Sequence, residues 1–149
     1  SEGDVLAQAV KTLSPLVKLA EEHGVVLHME LFNSIVDHPD YMADSSRWGV
    51  MLAKDLASPS FKLLYDIYHM QIMEGNLIEN IKANHKFYGH YHVAGVPGRN
   101  EPWNNQEINY PAVMKAIDEV GFKEYVALEY IFAEPIKESM HRSYSEFIT

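Results

Sequence analysis

The sequence contains no cysteine, and that one absence excludes disulfides, thiolate nucleophiles and zinc-thiolate centres together. Any metal site must therefore be built from carboxylates and imidazoles. No apolar run approaches the roughly 20 residues needed to span a bilayer. The opening segment, Ser1 to Glu22, carries acidic residues where a secretory leader would be basic. A cytoplasmic protein with no membrane partner is expected. Basic residues are also scarce: 12 Lys and Arg stand against 21 Asp and Glu, a net charge of -9, and the basic residues are dispersed. Phosphate backbones are bound by clustered Lys and Arg, so no nucleic-acid partner is expected. No composition break or low-complexity tract marks a linker. A length of 149 residues with 47% hydrophobic content suits one compact domain over residues 1–149.

What is present is a regular alternation of patterns. Val5, Ala9, Leu13, Leu16, Val17 and Ala20 recur at helical spacing with Gly24 at the stop position, which predicts a helix from about Asp4 to His23. Val25 to Leu31 is a short β-branched and apolar run bounded by Gly24 and Asn33, the pattern of a buried strand. The alternation continues with helix Ser45–Leu56, strand Lys62–Ile67, helix Asn76–His85, strand Tyr88–Ala94, helix Tyr110–Val120, strand Tyr125–Tyr130 and a last helix over Ile136–Phe147. Strands alternating with helices of this length imply an α/β fold of parallel βα units, with the helices covering the sheet. Four such units make half of an eightfold (β/α) barrel, which typically needs about 250 residues. Half a barrel leaves two strand edges unpaired, which natural proteins avoid. The chain is therefore expected to be a C-terminal portion of a longer protein, or to gain its missing strands from a second copy or another chain.

Side chains alternate across a strand. One face of each predicted strand then carries Val26, His28 and Glu30; Lys62, Leu64 and Asp66; Tyr88, His90 and His92; and Tyr125, Ala127 and Glu129. Each of these faces ends in an ionisable residue: Glu30, Asp66, His92, Glu129. In a parallel barrel the C-terminal strand ends converge on one mouth, and three carboxylates with one imidazole suit Mg²⁺, Mn²⁺ or a similar ion. Without a cation, three gathered carboxylates repel and raise one another's pKa. Taken singly, Glu30 fits a lysine ion pair, Asp66 a helix cap or turn, and His92 a hydrogen-bonded core histidine. Four successive strands delivering such a group at the same end favour the joint metal reading.

His69 follows Asp66 by three residues, in the loop predicted to leave the second strand, within reach of a substrate oxygen; a packing or surface role is the plain alternative. Arg99 lies in Gly95-Val-Pro-Gly-Arg99-Asn-Glu-Pro102, a loop whose Gly and Pro residues impose an irregular path over the same mouth. An arginine there suits a bidentate grip on an anionic substrate, against the alternative of a solvated side chain. Gln71 and Glu74 are weaker candidates, and His28 and His90 are expected to fill inner barrel layers.

The stretch Leu63-Leu-Tyr-Asp66-Ile-Tyr-His69-Met-Gln71-Ile-Met-Glu74-Gly-Asn76 resembles a hallmark segment of hydroxypyruvate isomerase-like proteins, a group of xylose isomerase-like barrels. Gly89-His-Tyr-His92-Val-Ala-Gly-Val-Pro-Gly-Arg99-Asn-Glu-Pro102, Glu107-Ile-Asn-Tyr-Pro111 and Leu128-Glu129-Tyr130 resemble the same family in the same order, so the similarity runs from about Gly24 to Tyr130. The resemblance implies strands five to eight of a (β/α)₈ barrel of roughly 260 residues. It further implies metal ligands at Glu30, Asp66, His92 and Glu129, an acid/base pair in the two glutamates, and substrate contacts at His69 and Arg99. The expected activity is an intramolecular oxidoreductase, interconverting hydroxypyruvate and tartronate semialdehyde through an enediolate with a divalent metal, Mg²⁺ or Mn²⁺. At His92, where that family commonly has glutamine, the chain is closer to ketose 3-epimerases. A small hydroxy-carbonyl or sugar substrate is expected, with a homo-oligomer or the missing half barrel as partner. A non-catalytic metal- or ligand-binding half barrel is the third reading. A metal-dependent nuclease is disfavoured by the acidic charge and the shortage of histidine ligands.

Overall fold

The computed structural model describes residues 2–103 and 105–147. Four strands, β1 (Leu27–Glu30), β2 (Phe61–Asp66), β3 (Tyr88–Val93) and β4 (Val126–Leu128), form one sheet in sequence order, and every pair is parallel. The helices are α1 (Glu2–His23), α2 (Ser46–Leu56), α3 (Ile67–Met73), α4 (Leu77–Asn84), α5 (Tyr110–Glu119) and α6 (Ile136–Phe147), with a 3₁₀ turn at His85–Phe87. The expected arrangement of four parallel βα units is therefore present. Among the described residues no helix is long and apolar enough to cross a membrane.

Local chemistry accounts for the boundaries. Glu2 and Asp4 stand in the first turn of α1, where carboxylates oppose the helix dipole. At the start of α2 the Ser45 hydroxyl accepts the Trp48 N–H at 3.3 Å, and Ala57 ends the helix in the left-handed region at φ 49°. The core lies between the sheet's outer face and the helices, with Leu31, Leu52, Leu63, Tyr65, Ile67 and Tyr91 all fully buried. Helix α2 rides close on this face: a Cβ on Gly49 would meet Leu31 Cδ2 at 2.9 Å and Leu63 Cδ1 at 3.0 Å.

Two expectations are corrected. Strict alternation placed Tyr88 with His90 and His92 on the inner face. Instead the register shifts between Leu63, paired with Tyr88, and Leu64, paired with His90. Gly89 is the extra residue of a bulge, and Tyr88 moves to the helix side, where its ring lies 4.6 Å from that of Tyr65 and 5.9 Å from that of Tyr91. The bulge needs glycine, since a Cβ there would stand 2.4 Å from His28 Nε2 and 2.8 Å from Lys62 Cβ. Tyr125 lies outside β4 and is exposed. The second correction concerns the segment after β2, expected as a loop: it turns at once into α3. Asp66 caps that helix by accepting the His69 N–H at 3.2 Å, a standard role for aspartate at this position.

Candidate metal centre

Period-two alternation carries Glu30 and Asp66 to the last positions of β1 and β2, and His92 to the penultimate position of β3. Glu129 follows β4 directly, and its N–H continues the ladder by donating to the Val93 carbonyl at 3.0 Å. These four side chains do converge: one ligand atom from each lies within 4.8 Å of the other three. Two donors bonded to one hard cation at about 2.0 to 2.6 Å sit at most about 4 to 5 Å apart, so the spacing fits a single ion. Two further observations support the fit. Glu30 Oε1 is buried without a well-formed hydrogen bond, and His92 Nδ1, also buried, faces carboxylate oxygens, Glu129 Oε2 at 2.9 Å, Glu30 Oε1 at 3.7 Å and Asp66 Oδ2 at 3.8 Å; a buried polar atom rarely stays unmatched without a missing ligand or water.

His69 is in α3 rather than a loop, and its side chain is almost completely buried. Asn33, also buried, approaches its Nδ1 with both the backbone N–H at 3.1 Å and the side-chain amide at 2.7 Å. Arg99 takes a left-handed conformation, φ 55°, and turns into the cluster. Its Nη2 donates to Asp66 Oδ2 at 2.7 Å and to the Glu129 carboxylate, while Nη1 stands 2.6 Å from His69 Nε2. The guanidinium also lies 4.8 Å over the Tyr68 ring, a favourable cation-π distance. An open cavity of about 450 Å³ adjoins the cluster, with Phe32, Asp37, His38, Tyr130 and Ile131 in its wall.

The electrostatics follow from burial and neighbours. Burial pushes the Asp66 carboxyl up to about 6, against the opposing pull of Arg99. Burial acts on Glu30 in the same sense, but His92, His69 and Arg99 together hold it below the ordinary carboxylate range. His92 is raised: burial works against its charged form, and Glu30, Glu129 and Asp66 outweigh that. Burial, aided by Arg99, lowers His69 to about 4, so the ring is neutral at pH 7.

The weaker candidates fall elsewhere. Glu74 accepts the Ser46 N–H and Oγ–H, each at 2.6 Å, and holds the start of α2. Gln71 donates to Glu107 at 3.1 Å. His28 and His90 lie on the inner face with rings 6.1 Å apart. Sequence reasoning missed Asn33, Asp37, Tyr68 and Glu101. Glu101 is buried and its carboxylate accepts the Ala133 and Glu134 N–H groups and the Ser139 hydroxyl, at 3.0 to 3.2 Å. Beside it, Ile131 N–H donates to the Arg99 carbonyl at 2.7 Å and the Asn100 amide to the Ile131 carbonyl at 2.9 Å. The segments bearing Arg99 and Glu129 are thus stitched together. A glutamate inside the Gly/Pro-rich loop motif was the available signal; its burial was not legible there.

A parallel α/β sheet with a carboxylate-rich cluster at its C-terminal strand ends defines the class: part of a (β/α) barrel with a site competent for a divalent ion. The chain belongs to the xylose isomerase-like TIM barrel family, whose model matches residues 1–145. It is 37% identical over 112 residues to a putative hydroxypyruvate isomerase of Homo sapiens, covering 75% of this chain and 40% of that protein. It is 31% identical over 124 residues to a 2-oxo-tetronate isomerase of Cupriavidus necator, covering 83% of this chain and 47% of the relative. The chain thus spans less than half the length of these relatives. A solved structure of a family 2 AP endonuclease from Brucella melitensis superposes with a TM-score of 0.90 at 24% identity, over 98% of this chain and 56% of that one; this likeness supports the fold alone.

Proposed function

We propose that the chain is the C-terminal half of a metal-dependent isomerase acting on a small hydroxy-carbonyl acid such as hydroxypyruvate. The observation that carries this is the convergence of Glu30, Asp66, His92 and Glu129 beside a neutral histidine and an arginine. Glu30, Asp66, His92 and Glu129 would hold Mg²⁺ or Mn²⁺. When bound, such an ion supplies Lewis-acid polarisation of substrate oxygens and a template for their orientation. The proton work falls to the two glutamates. They belong to opposite edges of the sheet, β1 and β4, and so reach a bound substrate from two sides. One carboxylate takes the proton from the hydroxyl-bearing carbon beside the carbonyl, leaving an enediolate; a protonated carboxyl then delivers a proton to the former carbonyl carbon while the hydroxyl proton passes from one substrate oxygen to the other, so that the old hydroxyl becomes the new carbonyl. Arg99 turns its guanidinium to the substrate carboxylate, and His69 contacts a substrate oxygen. The names of the two relatives, a putative hydroxypyruvate isomerase and a 2-oxo-tetronate isomerase, support a keto acid as substrate.

A ketose 3-epimerase is the second reading, favoured by histidine at position 92 and by glutamates on two sides, which would allow proton return to the opposite face. The remaining wall of the pocket comes from a complementary half barrel, on the same protein or on a second copy. The test is deuterium incorporation into hydroxypyruvate, followed by NMR in heavy water with and without Mg²⁺ or Mn²⁺. Metal-dependent incorporation that falls about 10²- to 10⁴-fold in Glu30→Gln and in Glu129→Gln is the expected result. Exchange that is absent from hydroxypyruvate but present in a ketose would select the epimerase. Absence from both would leave the non-catalytic binding half.

A further inference from the structure

The two ring nitrogens of His69 are approached by three hydrogen-bond donors, and a neutral imidazole has only one acceptor nitrogen. At Nδ1 the donors are the backbone N–H of Asn33, 3.1 Å away, and its side-chain Nδ2, 2.7 Å away. The orientation of that side-chain amide is set by its other contacts. Oδ1 accepts the N–H groups of Val36 and Asp37 at 3.0 and 2.9 Å, so it must be the oxygen, and Nδ2 donates to Asp37 Oδ2 at 2.7 Å. Tyr68 braces the same carboxylate by donating its hydroxyl at 2.8 Å. At Nε2 the single donor is Arg99 Nη1 at 2.6 Å, and a guanidinium cannot accept.

The competition is unequal. Asn33 is completely buried and its N–H has no alternative partner once the turn is formed, whereas Arg99 already has the carboxylates of Asp66 and Glu129. A buried amide left without an acceptor is the costlier outcome. We infer that Asn33 is a positioning residue that locks His69 in the Nε2–H tautomer, so that the ring presents the site with a hydrogen-bond donor for a substrate oxygen and cannot serve as a base there.

Two consequences follow for the ligand. The group facing His69 must be an oxygen with a free lone pair: a carbonyl, a hydroxyl or a carboxylate. In addition, two donors cannot share the 2.6 Å contact between Arg99 Nη1 and Nε2, so with Nε2 protonated Arg99 Nη1 must turn away from the ring and has no acceptor there. That donor is available to an anionic group arriving in the site, with no bond to His69 to break.

This inference relies on His69 lining the site proposed above, but its test reads the resting protein and is independent of turnover. The ¹⁵N-labelled chain, free of metal and substrate at pH 7, is examined by long-range ¹H–¹⁵N correlation of the imidazoles, with His69 assigned by the signals lost in His69→Gln. The expected pattern is a bare Nδ1 and a protonated Nε2, unchanged in Arg99→Ala. A protonated Nδ1 in the wild-type ring would overturn the inference, whether Nε2 is protonated or bare. In Asn33→Asp the backbone N–H still points at Nδ1 but a carboxylate oxygen replaces the Nδ2 donor, and a signal from protonated Nδ1 is expected; a folded variant that kept Nδ1 wholly bare would refute the part given to the Asn33 side chain and leave the lock to its backbone N–H. If that variant does not fold, the wild-type and Arg99→Ala spectra decide alone. Loss of deuterium exchange with the tautomer intact would count against the proposed reaction and leave this inference standing.

Discussion

Asp66→Asn should make the metal-free chain more stable while removing its response to metal. Asp66 is fully buried at the end of β2, and burial raises its carboxyl from 3.8 to about 6. A carboxyl raised by folding contributes stability that is complete below its unfolded value and is lost as pH rises through the folded one. At pH 7 the ionised group therefore carries the whole penalty, about 3 kcal/mol at 1.36 kcal/mol per pKa unit. Asparagine keeps the cap on the His69 N–H, since Asn and Asp cap about equally well. The pull of Arg99, 2.7 Å from Asp66 Oδ2, already offsets part of the burial penalty within that shift. The net expectation is a gain of up to about 3 kcal/mol in urea denaturation with a chelator present. Metal reverses the order: at 100 times its Kd a bound ion stabilises the wild type by about 2.7 kcal/mol, and the variant, lacking one ligand, gains little. A variant that is less stable without metal, together with a wild type indifferent to Mg²⁺ and Mn²⁺, would mean that Asp66 is only a cap and ion-pair partner.

Other perturbations test the frame around the site. Gly89→Ala should lower stability by about 1 to 3 kcal/mol in thermal denaturation, since the new Cβ would meet Lys62 Cβ at 2.8 Å and the strand must shift. Glu101→Gln should cost about 1 to 3 kcal/mol at pH 7, because a charged acceptor of two backbone N–H groups and a hydroxyl is lost. Burial alone would raise the Glu101 carboxyl, but those hydrogen bonds hold it below 4.5. Its contribution is present above pH 4.5 and is lost as the pH falls through the depressed folded value, so the difference between wild type and variant should close under acid conditions. Ser45→Ala should cost about 1 kcal/mol by removing the cap at the Trp48 N–H, measurable by chemical denaturation.

Much of the site was legible because it depends on periodicity. Glu30, Asp66 and Glu129 follow from where apolar runs stop, and parallel strands bring those ends together whatever the loops do. His92 was placed correctly although the register of β3 shifts, because the bulge at Gly89 lies N-terminal to it. Tyr88 lies on the other side of that bulge and was misplaced. A bulge depends on two strands, here on how close Gly89 comes to His28 and Lys62, and a single strand's pattern carries no such information. His69 was identified as a candidate but not as a helical residue, since α3 is only seven residues long and its cap is the same Asp66 that serves the cluster.

By itself, then, the sequence determined the alternation of elements, the parallel sheet and the four ionisable strand ends, because each rests on local spacing and on the geometry of a single strand or helix. Only the tertiary structure decided what surrounds them. Asn33 meets His69 across 36 residues, Arg99 meets Asp66 across 33, and Glu101 meets the Ser139 hydroxyl across 38. Such contacts are selected by hydrogen-bond satisfaction in a buried volume, and that volume exists only once the four βα units have packed.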